Sequence, residues 1–106
     1  MTLENIQNSI DNNLAVALYF SGRDCGVCHV LQPKIVQLVT RKFPSMVLHS
    51  IDASTYQEIA AHFSVFSVPT FLVFFDSKEF IRKSRNMSIH FLEEEIHRPY
   101  SMLLGE

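Results

Sequence analysis

The run Leu14-Ala15-Val16-Ala17-Leu18-Tyr19-Phe20 constrains this chain most, because it is apolar throughout and does not alternate. A strand wetted on one face alternates apolar and polar side chains. A strand without alternation is covered on both faces, as in the parallel sheets of α/β proteins. The run is far short of the roughly 20 residues of a membrane span, and no other apolar run approaches that length. Ser21-Gly22-Arg23-Asp24 breaks it. Val27, Leu31, Ile35, Leu38 and Val39 follow at spacings that fit a 3.6-residue helical period. Pro33 lies inside this helix and is expected to kink it. Met46 to Ile51 then reads as a second buried strand. Strand, helix and strand in this order form a right-handed unit with parallel strands.

Other elements are read on either side. Thr2 is placed to cap a first helix carrying Leu3, Ile6 and Ile10, which Asp11-Asn12-Asn13 should end. Ser54 or Thr55 is expected to cap a short helix with Tyr56, Ile59, Ala60 and Phe63. Thr70 to Phe75 reads as a third strand, and Phe71, Phe74, Phe75 and Phe80 are expected in the core. Asp76-Ser77-Lys78 makes a turn, from which Glu79 to Ser84 pairs back antiparallel. Ser88 caps a last helix with Ile89, Leu92 and Ile96 inward. Pro99 should end or bend it, leaving Met102-Leu103-Leu104 as an apolar tail. The order is α-β-α-β-α-β-β-α, an α/β chain with about four strands and helices on both faces.

With 106 residues, the chain reads as a single domain over positions 1–106. A composition 47% hydrophobic and 19% charged excludes a disordered chain. The formal net charge of −2 argues against nucleic acid as a main partner, since phosphate binding needs a basic face. Met1-Thr2-Leu3-Glu4-Asn5 has no basic stretch ahead of an apolar one, so no secretion signal is read. A cytoplasmic location is expected. Cysteines in that reducing compartment are more often catalytic or metal-bound than structural.

There are two cysteines, in Cys25-Gly26-Val27-Cys28, between the first strand and the long helix. Residues three apart on a helix share a face with Cα atoms about 5–6 Å apart, the window of an unstrained disulfide. Cys25 falls in the first turn, where free backbone N–H groups and the helix dipole favour a thiolate. Cysteines so placed ionise at about 3.5–7.5 rather than 8.5. Gly26 leaves the sulfur approachable, and Cys28 is the more buried. Three other readings stand beside this one. The pair could be two core thiols. It could be half of a metal site completed by two of His29, His49, His62, His90 and His97. Two copies of the chain could also share an iron–sulfur cluster.

The apolar strand, the C-x-x-C at its end, Pro33 five residues after the second cysteine and Val68-Pro69-Thr70 opening a later strand together resemble the thioredoxin family. The resemblance covers roughly Leu14 to Ile96. It implies a three-layer α/β/α sandwich with a mixed central sheet, and a cis peptide bond before Pro69. It further implies that the Val68 backbone pairs with an extended substrate segment, within a groove formed by Gly26, Val27, Val68, Pro69 and Thr70. Phe66, Val68 and Met87 would lie in loops around the sulfur as an apolar patch. The chain departs from the family at several positions. Asp24 stands where thioredoxins carry Trp, and Val27 stands for the Pro between the cysteines. Tyr19 replaces a buried Asp and Leu48 its companion Lys. The usual loop Gly falls near Arg85 and Asn86, and there is no room for the first edge strand. Arg23 favours a thiolate at Cys25 while Asp24 opposes it. Tyr19 is a poor base, but its hydroxyl can donate to a sulfur or a water.

The resemblance implies a thiol–disulfide oxidoreductase in which Cys25 attacks and Cys28 resolves. Its substrates would be disulfide-containing proteins or small thiols, with an upstream thiol reductase to recycle it. No metal or bound cofactor is required. A monomer or weak dimer is expected. The other reading is a thioredoxin-like binding or assembly module in which the cysteines turn over weakly or not at all.

Overall fold

The structure, a computed structural model, describes residues 1–106. Its elements are α1 (Leu3–Asn12), β1 (Ala15–Ser21), α2 (Gly26–Lys42), β2 (Val47–Asp52), α3 (Gln57–His62), β3 (Thr70–Phe75), β4 (Lys78–Ser84) and α4 (Ile89–Leu104). The strands form one mixed sheet in the order β2-β1-β3-β4. β1 runs parallel to β2 and antiparallel to β3, and β4 is antiparallel to β3.

The unbroken apolar run of β1 follows from this arrangement. Ala15, Ala17 and Tyr19 face one core with Leu31, Ile35, Leu38, Leu92, Ile96 and Tyr100 of α2 and α4. Val16, Leu18 and Phe20 face a second core with Ile6, Ile10 and Ile59 of α1 and α3. β3 divides the same way, Phe71, Val73 and Phe75 against Leu72 and Phe74. Both central strands are therefore buried on both faces. Each large side chain they bury contributes about 1.5–3 kcal/mol.

Local chemistry sets the ends of the elements. Thr2 and Ser88 cap α1 and α4 by accepting from the backbone N–H groups of Asn5 and Phe91. α1 runs on through Asn12, beyond the expected turn. The side-chain amides of Asn12 and Asn13 donate to the Asn8 and Ser9 carbonyls near its end. Asp76 and Ser77 both have positive φ, 52° and 68°, as a two-residue type I′ hairpin turn requires.

Several expectations are corrected. β2 is an edge strand and is mostly half-buried. Neither Ser54 nor Thr55 caps α3. The Asp52 carboxylate accepts both of their N–H groups, and the helix starts only after Tyr56. Val27 is exposed and Cys28 takes its place on the buried stripe of α2. Phe80 is exposed on the outer strand β4, although its ring meets Phe75 edge-on at 5.5 Å. Pro99 does not end α4. It removes a donor from the Glu95 carbonyl, but Glu95 is exposed and water can serve instead. Beyond it, Tyr100 packs edge-on against Phe43 at 5.0 Å and holds the last turns down. The apolar tail is thus the end of α4. Leu104 rests on the core, while Met102 and Leu103 are exposed.

Candidate active site

β1 ends at Ser21, and four residues carry the chain to the start of α2. Cys25 caps that helix, and its Sγ accepts the Cys28 N–H at 3.2 Å. A sulfur there faces the unpaired N–H groups and the positive end of the helix dipole. Cys25 and Cys28 are joined by a disulfide with Cα atoms 5.2 Å apart. The two sulfurs differ in access: Cys25 is partly exposed, while Cys28 is 0% exposed.

The Val68 loop is brought beside the pair by Gly22. A Cβ at Gly22 would meet Val68 Cγ2 at 3.1 Å, Cys25 Cβ at 3.8 Å and Ser54 Oγ at 3.8 Å. Position 22 thus tolerates no side chain without displacing its neighbours. The Val68–Pro69 peptide bond is cis, as the resemblance implies. Pro69 is buried, and its carbonyl accepts the Arg85 N–H at 2.8 Å. Arg85 adopts a φ of 63°, the left-handed backbone that a Gly would take without cost. Thr70 is almost fully buried. Its hydroxyl donates to the Ser67 carbonyl at 2.7 Å and receives the Ser84 hydroxyl at 3.2 Å, so it anchors the loop.

Tyr19 does not reach a sulfur. It is fully buried, and its hydroxyl donates to the Cys28 carbonyl at 2.7 Å. Burial pushes its ionisation above the ordinary value of 10.0, so it holds its proton at neutral pH. Arg23 and Asp24 are exposed. The Arg23 backbone N–H donates to Ser54 Oγ at 3.5 Å, and its carbonyl accepts from His29 Nε2 at 3.3 Å. No three His, Cys, Asp or Glu side chains gather as a metal ion needs.

Two clefts flank the pair. One, of about 450 Å³, runs from Gly22 and Val68 to Ala53, Ala61 and Phe66, a residue 86% exposed. The other, of about 490 Å³, is lined by Val27, Arg85, Asn86, Met87, Ser88 and Phe91. Phe66, Val68 and Met87 therefore divide between two clefts. Gly22, Ser54 and Arg85 went unrecognised as site residues in the sequence. The signals available were a Gly directly after a strand and, at Arg85, the absence of the loop Gly that the family resemblance implies.

A partly exposed cysteine capping a helix, bridged to a buried one a turn later, forms a site for dithiol–disulfide exchange. On this sheet it defines the thioredoxin-like class of thiol–disulfide oxidoreductases. Comparison with known proteins agrees. The sequence model of the Thioredoxin family matches residues 1–98. The chain is 36% identical over 105 residues to thioredoxin-like protein YdfQ of Bacillus subtilis (strain 168), covering 99% of this chain and 93% of that one. The X-ray structure of Fasciola hepatica thioredoxin superposes with a TM-score of 0.75 at 30% identity, covering 91% and 89% of the two chains. Oxidised mitochondrial thioredoxin 3 of Saccharomyces cerevisiae shares the fold, with a TM-score of 0.80 at 24% identity and coverage of 91% and 89%. The chain belongs to the thioredoxin family, and its Cys25–Cys28 pair makes it a thiol–disulfide oxidoreductase.

Proposed function

We propose that the reduced protein transfers two electrons to a disulfide in a protein or a small thiol compound. The Cys25 thiolate attacks one substrate sulfur, forming a mixed disulfide and releasing the other sulfur as a thiolate that takes up a proton. Cys28 then loses its proton and attacks Cys25 Sγ. The second substrate thiol leaves, and the Cys25–Cys28 disulfide closes. The exchange balances without a bound cofactor or metal; an upstream dithiol reductase returns the two electrons. The observation that carries this assignment is the contrast in access between partly exposed Cys25 and fully buried Cys28.

Gly26 and Val27 are exposed beside Cys25, and Val68 offers backbone for an extended substrate. In this reading Pro69 and Thr70 hold that backbone in place. Tyr19 sets the first turn of α2, and Arg23 and Asp24 bias the charge around Cys25. We further assign residues 1–106 to one working unit, a monomer or weak dimer in the cytoplasm. No helix is long and apolar enough to cross a membrane.

Replacing Cys28 by Ser tests the order of attack. Mixed disulfides on Cys25 should accumulate in that variant, while Cys25→Ser should trap none on Cys28. Adducts on Cys28 in Cys25→Ser, with none on Cys25 in Cys28→Ser, would reverse the roles.

A further inference from the structure

Helix α2 carries Lys34, Arg41 and Lys42 and no acidic residue. Val27, Leu31, Lys34, Leu38 and Arg41 follow one another at three- and four-residue steps, so they form a single line along the helix. The line begins beside Cys25 and is about 21 Å long from Val27 to Arg41 at 1.5 Å per residue. Beside it, between α2 and α4, lies a groove of about 540 Å³. Leu31, Leu38 and Met87 make its apolar floor, and Lys34, Arg41 and Lys42 its rim. It meets the Val27 cleft at Met87, which lines both.

The charge is not neutralised from within. The ion pairs of the molecule are Arg82–Glu79, Lys83–Glu95 and His90–Glu94, none of which involves a groove cation. Glu93 is the one acid in the groove, against three cations there and Arg85 in the adjoining cleft. A chain of net charge −2 thus concentrates unpaired positive charge on one side of its redox pair. An apolar floor with a cationic rim suits an extended segment that alternates apolar and acidic residues.

We infer that this groove docks an acidic segment of a disulfide-bearing partner protein, and so selects among the substrates of the exchange proposed above, on which it rests. About six extended residues span the line at 3.3 Å each. The acidic segment therefore flanks the reacting cysteine of the partner. Opposite charge raises encounter rates, and salt screens it within about 10 Å at 0.1 M.

The test uses two synthetic peptides with the same disulfide, flanked by a Glu-rich segment in one and the matching Gln-rich segment in the other. The reduced protein should reduce the Glu-rich peptide on the order of tenfold faster at low salt, and high salt should erase the difference. The triple variant Lys34→Gln, Arg41→Gln, Lys42→Gln should lose the preference but reduce hydroxyethyl disulfide, small and neutral, at the wild-type rate. Glu93→Gln should strengthen the preference. Equal rates on both peptides, or a preference surviving in the triple variant, would overturn the inference. If no disulfide is turned over at all, the proposed exchange fails instead. The groove is then judged by fluorescence anisotropy of the Glu-rich peptide, lacking its disulfide, on the oxidised protein. Binding abolished in the triple variant supports the inference, and binding unchanged overturns it. Tighter binding of a single-stranded oligonucleotide through the same cations, or a wild-type dimer that the triple variant abolishes, would assign the groove to another occupant and also overturn it.

Discussion

The Tyr19 hydroxyl donates a 2.7 Å hydrogen bond to the Cys28 carbonyl, tying the buried end of β1 to the first turn of α2. This ties the redox helix to the sheet at its second cysteine. Tyr19→Phe keeps the shape and removes the bond, leaving a buried carbonyl without that donor. The expected loss is about 1–2 kcal/mol of stability. For a domain of this size each kcal/mol lowers Tm by about 4–8 °C, which thermal denaturation will read. The exchange rate should fall far less than the stability, because a phenol that keeps its proton is no base.

The same residue gives a pH dependence. Burial raises the ionisation of Tyr19 above 10.0 in the fold, so the folded state holds that proton more tightly than the unfolded chain. The associated stability is fully present below about pH 10 and is lost as pH rises from there through the folded value. Tyr100 is raised as well, by burial first and by its bond to Glu106 second. Urea midpoints measured from neutral to strongly alkaline pH should therefore fall. Tyr19→Phe should fall less steeply and Tyr100 should account for the remainder.

Gly22→Ala places a methyl group 3.1 Å from Val68 Cγ2, closer than ordinary contact. The branched Val68 side chain has little freedom to yield, so about 1–2 kcal/mol of stability should be lost. Exchange should slow as well, because the displaced residue belongs to the proposed substrate groove. The double variant Gly22→Ala, Val68→Ala should recover much of the stability. A double-mutant cycle with additive losses would show that the two positions do not touch.

Arg85 holds a φ of 63°, which costs a residue with a Cβ about 1–2 kcal/mol. Its N–H is committed to the Pro69 carbonyl, so the backbone is held there. Arg85→Gly should raise stability by about 0.5–1 kcal/mol, the relief being partly offset by the freer unfolded chain. The urea midpoint should rise with its slope unchanged.

Arg82 fastens β4 to the end of α3. Its guanidinium donates to the Phe63 carbonyl at 2.7 Å and the Ser64 carbonyl at 3.2 Å, and to both carboxylate oxygens of Glu79. Lysine keeps the charge but lacks the planar fork. Arg82→Lys should cost about 1–2 kcal/mol by chemical denaturation, while Arg82 leaves the redox pair untouched.

Local information carried much of the fold. The unbroken run of β1, the helical stripe of α2, the caps Thr2 and Ser88 and the turn at Asp76-Ser77 all depend on neighbours within a few residues. So did the most informative part of the site, since the three-residue spacing of Cys25 and Cys28 along one helix sets their 5.2 Å separation. What the sequence could not show depended on residues far apart in the chain. Whether β2 lies at an edge depends on which strands flank β1. The continuation of α4 past Pro99 rests on the packing of Tyr100 against Phe43, and the loss of the Ser54 cap on how Asp52 turns the chain. That Tyr19 meets a carbonyl rather than a sulfur, and that Gly22 lies between Cys25 and Val68, follows from how β1, α2 and the Pro69 loop converge. Spacing along the chain determined which sulfurs pair. The packing of β1, α2 and the loop before β3 decided which of them stays partly exposed and which is buried, because burial is a property of the assembled layers.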